Sequence, residues 1–152
     1  DKSIEGFTGA ARRLEVALDR PGQNFTVYRD FAHAPSKLKA TQSGVVGSFP
    51  KRKVTAVFEL HTFSSLNKDF LPQYAHSMDA VDKAIVFYDP QVIEHKRLPA
   101  ISIEDVKKAF AREDLEVITN IKSLETRLQC IDKNNHCLLM MSSGRFGGAN
   151  IS

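Results

Sequence analysis

Short apolar runs alternate along the chain with longer stretches in which apolar positions recur every three or four residues. The runs predict strands at residues 14–19, 25–30, 53–61, 83–88, 115–119 and 137–142. Several of them, such as Ala84-Ile85-Val86-Phe87 and Leu138-Leu139-Met140-Met141, are continuously apolar, the pattern of strands covered on both faces. Helices are predicted between the strands. Leu38, Val45 and Phe49 follow Pro35-Ser36 at helical spacing, and Leu66, Phe70, Tyr74 and Met78 form an i, i+4, i+8, i+12 stripe, in which Pro72 is tolerable only within a first turn. Ser102-Ile103-Glu104-Asp105 has the form of a capping box ahead of Val106 and Phe110. Ser123 is the expected cap of a helix carrying Leu124, Leu128 and Ile131. Strands alternating with helices of this length indicate βαβ units. The first two strands, split by Arg20-Pro21-Gly22-Gln23-Asn24, read as a hairpin. The expected fold is α/β: an open sheet of about six mostly parallel strands, one antiparallel strand at an edge, and helices on both faces.

Composition narrows this picture rather than redrawing it. A chain of 152 residues, 42% hydrophobic and 26% charged, is one domain's length and has the ordinary globular mix, which excludes wholesale disorder. No apolar run approaches the ~20 residues needed to span a bilayer, and no basic-then-apolar leader opens the chain, so neither membrane insertion nor a signal peptide is expected. Cys130 and Cys137 form no disulfide framework; they read as small buried hydrophobes in a reduced, intracellular protein. The chain starts at Asp1 without an initiator methionine and holds no Gly-x-x-x-x-Gly-Lys-Ser/Thr loop, which reads as a fragment or processed product. The net charge of +3 is uneven: residues 1–68 carry 11 Lys/Arg against 6 Asp/Glu, and residues 69–152 carry 10 against 12. That asymmetry fits an anionic ligand held by the first half, or simply a solvated surface. Nucleic acid is not the expected partner, because the aromatic residues are mostly Phe inside apolar runs and no basic stripe recurs at helical spacing.

Ligands of open α/β sheets bind beyond the carboxyl ends of the strands. Three such ends are rich in polar and small residues: Asp30-Phe31-Ala32-His33-Ala34-Pro35-Ser36, Glu59-Leu60-His61-Thr62-Phe63-Ser64-Ser65, and Ser142-Ser143-Gly144-Arg145-Phe146-Gly147-Gly148. A carboxylate such as Asp30 can accept two hydrogen bonds from the vicinal hydroxyls of a ribose; the alternative is that it helps cap the following helix, for which Ser36 is nearer. His33 is a ligand contact or a brace of its turn. The hydroxyls of Thr62, Ser64 and Ser65 behind His61 suit a carboxylate, or an ordinary capping segment. The Gly-rich segment lets backbone approach a substrate closely. Arg12-Arg13 could pair with phosphate or lie solvated. His76, His95 and His136 lack metal-ligand spacing, so no metal site is assigned.

Phe7-Thr8-Gly9-Ala10-Ala11-Arg12-Arg13-Leu14-Glu15, followed by Tyr28-Arg29-Asp30-Phe31-Ala32-His33-Ala34-Pro35, resembles the C-terminal domain of the bacterial Mur ligases, ATP-dependent amide ligases of peptidoglycan synthesis and recycling. The resemblance extends over nearly the whole chain, residues 1–152 being that one domain, and implies a Rossmann-like sheet of about six strands. It implies that Arg13 approaches the phosphates of ATP and Asp30 its ribose, with His33 in the same nucleotide-facing turn. It places His61, Thr62 and Ser64 in the loop that meets the incoming amino acid, and Ser143 and Phe146 in a closing substrate loop. In the family a muramate carboxylate attacks the γ-phosphate of ATP to give an acyl phosphate, and an amine then displaces phosphate. The phosphate loop and the main magnesium ligands belong to a central domain and the UDP site to an N-terminal one, so these residues are expected to form a lid that does not catalyse alone, in the cytoplasm.

Leu60 stands where the family commonly has Pro, Ser65 where the alanine-adding ligases often have Arg, Arg29 at a common Asp, and Ala34 at a common His. Phe31 and the Gly-Gly ending are more like the recycling ligase, which attaches the tripeptide L-alanyl-γ-D-glutamyl-meso-diaminopimelate. The expected substrates are therefore UDP-N-acetylmuramate with either L-alanine or that tripeptide. Two other readings compete. A folylpolyglutamate synthetase shares an Asp-x-Ala-His-x-Pro turn, although the His-Thr-Phe-Ser-Ser segment argues against it; the other rival is a nucleotide-binding module without catalysis.

Overall fold

A computed structural model describes residues 14–149. Six strands form one sheet: β1 (Glu15–Arg20), β2 (Phe25–Asp30), β3 (Lys53–Glu59), β4 (Lys83–Phe87), β5 (Glu116–Ile118) and β6 (His136–Met141). They lie in the order β1-β2-β6-β3-β4-β5. Among the described residues only the β1–β2 pair is antiparallel, joined by a tight turn that ends on Asn24 in the left-handed region, with a bulge between Val16 and Leu18. The other four pairs are parallel. Among the described residues no helix is long and apolar enough to cross a membrane.

The alternation of side chains across the pleat sorts the strands into two cores. Val54, Ala56, Phe58, Ala84, Val86, Leu139 and Met141 face one side, and Val57, Ile85, Phe87, Leu138 and Met140 the other. The first side is covered by α1 (Pro35–Ser48), α2 (Pro90–His95), α3 (Ile103–Phe110) and the turns between β3 and β4. The second is covered by α4 (Ile121–Gln129) and by Phe146. The chain steps outward from β2 past β3 and β4 to β5 with its connections on one face, then returns through α4 on the other to insert β6 between β2 and β3. Right-handed crossovers require this change of face when the direction of travel reverses.

Several expectations need correction. The stripe Leu66, Phe70, Tyr74, Met78 is not a helix; the segment runs as turns with a short 3-10 stretch, Leu71–Tyr74, that contains Pro72. Proline lacks the N–H and crowds the carbonyl four residues back, so it cannot lie within a helix started at Leu66. Leu66, Tyr74 and Met78 are nevertheless buried, so the periodicity reported burial correctly. Tyr74 stacks on Phe110 at 5.2 Å between centroids. The cap of α4 is Asn120, whose side chain accepts from the Ser123 N–H, and not Ser123 itself. At α1 neither Ser36 nor Asp30 caps; Ala34 occupies that position without a side-chain bond and Pro35 opens the helix. Helix α2, capped by Asp89, was not foreseen. Cys137 is buried as expected, whereas Cys130 at the end of α4 is exposed. The Ser102–Asp105 box is present with both reciprocal bonds.

Polar clamps complete the frame. The Arg127 guanidinium meets Glu116 through two bonds of 2.6 and 2.9 Å, tying α4 to β5 and holding the Glu116 carboxyl below its usual range. Arg112 donates to the carbonyls of Met78, Val81 and Asp82, which fixes the turn before β4. His136, 7% exposed, shares a 2.7 Å bond with Thr55 across the β3–β6 pair.

Two stability measurements test this account. Asn120→Ala is expected to cost about 1 kcal/mol in urea unfolding and Ser123→Ala a few tenths, reversing the order expected if Ser123 were the cap; equal losses would refute the assignment. Burial holds the His136 imidazole below its ordinary value of 6.5. The unfolded chain therefore takes up this proton first as pH falls, so the stability present above about pH 6.5 declines from there toward the lower folded-state value. His136→Gln should reduce the loss between pH 7.5 and pH 5.5, by at most about 1.4 kcal/mol per pH unit. An identical pH dependence in the two proteins would remove His136 from the explanation.

Candidate functional site

The insertion of β6 between β2 and β3 makes three carboxyl ends immediate neighbours. With strands about 4.8 Å apart, the loops after Asp30, Glu59 and Met141 emerge within roughly 10 Å of one another. The outgoing chain leaves β2 and β3 toward one face and β6 toward the other, the arrangement that opens a crevice at a sheet edge.

After β2, Asp30 is 8% exposed. Its Oδ1 accepts from the Ala32 N–H at 3.3 Å and its Oδ2 from the Thr41 hydroxyl of α1 at 2.6 Å. Each oxygen keeps a second lone pair, so the carboxylate is oriented without being saturated. Phe31 beside it is 52% exposed. His33 is also exposed, and its Nδ1 lies 3.0 Å from the Phe31 carbonyl. A carbonyl only accepts, so Nδ1 is the donor in this contact, and the neutral ring has its lone pair on Nε2. The His33 carbonyl in turn accepts from the Tyr74 hydroxyl at 2.5 Å, which anchors this turn to the aromatic core. His33 thus braces its turn and still presents a ring nitrogen outward.

After β3, Thr62 and Ser65 bond to each other through backbone and hydroxyl groups at 3.0 Å, which folds a tight turn; Ser65 is fully buried. The Thr62 hydroxyl is engaged inside that turn, while Ser64 is exposed. Phe63 projects outward with the Lys96 ammonium 4.2 Å from its ring centroid. His61 is half-buried above Glu59.

After β6, the Ser142 hydroxyl donates to Glu59 Oε1 at 2.6 Å and accepts from the Gly144 N–H at 2.7 Å. The Phe146 N–H reaches the same Glu59 oxygen at 2.8 Å. Phe146 has φ +53°, and its ring is buried in the second core, so it anchors the loop. Gly147, at φ +63°, packs where a Cβ would meet Ile121 Cδ1 at 2.7 Å. Gly144 lies against His61: a Cβ there would fall 2.8 Å from the ring, so the two loops touch only because residue 144 has no side chain. Ser143 is half-buried on this loop. A cleft of about 80 Å³ opens between the loop and β2, lined among others by Asp30, Phe31, Ser142 and Arg145.

The structure therefore brings Asp30 and His33, His61, Thr62 and Ser64, and Ser143 and Phe146 to one edge of the sheet. Arg13 lies outside the described residues. Among the described residues no three His, Cys, Asp or Glu side chains gather as a metal site. The sequence placed Glu59 in the polar segment after the third strand but assigned it no role; its signal was a charged residue closing an apolar strand run.

A UDP-N-acetylmuramate--L-alanine ligase of Sulfurihydrogenibium sp. is 30% identical over 147 residues, covering 94% of this chain and 31% of that protein. Among solved structures, a murein peptide ligase of Psychrobacter arcticus superposes with a TM-score of 0.68 at 20% identity, over 91% of this chain and 28% of that one. A UDP-N-acetylmuramate-alanine ligase of Thermotoga maritima superposes with a TM-score of 0.63 at 16% identity, over 89% and 27%. These two share the fold. The chain spans under a third of the length of the curated relatives it matches. Residues 12–144 match the family described as Mur ligase, glutamate ligase domain, and the chain belongs to that family.

Proposed function

We propose that this chain is the C-terminal domain of a cytoplasmic ATP-dependent ligase that joins UDP-N-acetylmuramate to L-alanine or to L-alanyl-γ-D-glutamyl-meso-diaminopimelate. The observation that carries the reading is the convergence of three adjacent loops at one sheet edge in a member of the Mur ligase family. Its short span relative to the curated relatives supports two further domains on the same polypeptide, an N-terminal UDP-binding domain and a central ATPase domain.

ATP, when bound, would supply the phosphoryl group that converts the muramate carboxylate to an acyl phosphate open to attack by an amine. The residues of this chain fit the nucleotide's sugar. Asp30 is held by Ala32 and Thr41 with one acceptor site free on each oxygen, the arrangement two vicinal hydroxyls require. His33 offers an acceptor nitrogen beside it. Arg13 is assigned to the phosphates, where a guanidinium offsets charge spread over phosphoryl oxygens. His61, Thr62 and Ser64 are assigned to the amine substrate, with Ser143 and Phe146 on the loop that closes over it. Thr62 acts by shaping the turn and Phe146 by anchoring the loop, since the hydroxyl of one and the ring of the other are already engaged. The described residues do not fit a magnesium site, so magnesium is assigned to the central domain and no step is drawn through it here. Closure of this lid excludes water from an intermediate that water would hydrolyse.

The reading is tested in the full-length enzyme. Asp30→Ala should raise the KM for ATP by about tenfold or more, the scale of losing hydrogen bonds to a charged acceptor, with little change in the KM for the amine. An unchanged ATP dependence would refute the ribose assignment. Wild-type enzyme is expected to ligate UDP-N-acetylmuramate with L-alanine or the tripeptide, and the 152-residue chain alone to show no turnover. Activity with neither amine, or turnover by the isolated chain, would overturn the proposed division of labour.

A further inference from the structure

Glu59 ends β3 with a carboxylate that is 4% exposed. Its two oxygens face different partners. Oε1 takes both the Ser142 hydroxyl and the Phe146 N–H, and so holds the loop after β6. Oε2 faces Nδ1 of His61 at 3.8 Å, beyond hydrogen-bond length. That Nδ1 is itself buried and has no hydrogen-bond partner among the described residues. An unbonded, buried ring nitrogen thus confronts a carboxylate oxygen inside the site.

Chemistry decides how that gap is filled. An ionised carboxylate oxygen can only accept, whereas an imidazole nitrogen donates or accepts according to where its proton sits. The favourable arrangement places the proton on Nδ1, directed at Glu59, and leaves the lone pair on Nε2. His61 is 40% exposed, and Nδ1 is the ring nitrogen that is buried, so Nε2 is the one open to a ligand. Gly144 backs the ring, with no room for a side chain between them. The open nitrogen is therefore an acceptor held against a rigid wall. An ammonium group is a donor only, and matches it; the carboxylate end of the same amino acid or peptide does not.

We propose that Glu59 is a positioning residue that acts through His61, holding the imidazole as its Nδ1–H tautomer so that Nε2 accepts a hydrogen bond from the ammonium group of the incoming amine. The identity of that ligand rests on the amide-ligase reading; the tautomer does not. Glu59 would then serve both loops at once, fixing the closing segment with one oxygen and the polarity of His61 with the other.

Glu59→Gln separates the two roles without changing the side chain's shape. The Phe146 N–H needs an acceptor, so the amide oxygen stays with Ser142 and Phe146 and the NH2 group turns toward His61. Nδ1 must then accept, and the proton moves to Nε2. Long-range ¹H–¹⁵N NMR of the 152-residue chain at about pH 9, where ordinary imidazoles are neutral, should show His61 as the Nδ1–H tautomer in wild type. The variant should show the Nε2–H tautomer with the Phe146 amide resonance retained. An Nε2–H tautomer in wild type, or the same tautomer in both proteins, overturns the proposal. If the variant does not fold, the wild-type tautomer decides alone. In the full-length ligase the same substitution should raise the KM for the amine on the order of tenfold and leave the KM for ATP unchanged. An unchanged amine KM overturns the ammonium contact. Failure of the wild-type enzyme to form an amide overturns the ligase reading and the ammonium with it, whereas a wild-type Nε2–H tautomer overturns the positioning role even in an active ligase.

Discussion

The structure depends on β6 filling the gap between β2 and β3. Every residue of that strand is buried, and it hydrogen-bonds to a parallel neighbour on each side. Without it, β2 and β3 would present unpaired N–H and C=O groups between layers that cover both faces of the sheet, where water could not replace the lost bonds. The same insertion requires α4 to cross on the face opposite α1, and so generates both cores. It also delivers Ser142 to a position between Asp30 and Glu59, where its N–H meets the Asp30 carbonyl and its hydroxyl meets the Glu59 carboxylate. The site is a by-product of sheet order.

The loops at that edge are held by the layers beneath them. Tyr74 links the stacked aromatic cluster with Phe58 and Phe110 to the carbonyl of His33. Phe146 links the opposite core to the Gly-rich segment while its N–H reports to Glu59. The loops after β2 and β6 are therefore tied to different cores; the loop after β3, seated in the first core by Leu60 and Leu66, meets the loop after β6 at the contact of Gly144 with His61. A shift in either layer is transmitted to that contact, because close-packed interiors do not absorb displacement.

The strands were legible in the sequence to within one or two residues because continuously apolar runs such as Ala84-Ile85-Val86-Phe87 have few other uses in a chain this size. The edge hairpin and the gathering of Asp30, His61 and Ser143 at one side followed from strand direction alone. The stripe Leu66 to Met78 misled because periodicity reports which side chains are buried, and Pro72 decides the backbone. Ser123 was named as the cap and Asn120 fills that role; both side chains can accept a hydrogen bond, and the position depends on where the chain turns out of β5. The role of Glu59 was hidden for another reason. Its partners Ser142 and Phe146 lie 83 and 87 residues away, and no local pattern marks a carboxylate whose meaning comes from residues so distant.

That distance has a kinetic side. The β6 pairings join segments far apart in the chain, as in the Thr55–His136 bond across 81 residues and the Asn24–Asn135 bond across 111. Closing such loops costs entropy before any contact compensates, so domains built this way fold slowly compared with those of local topology. The loops that meet at Gly144 follow β3 and β6, which pair directly. That contact needs this long-range pairing in place, so a chain lacking it holds no assembled site.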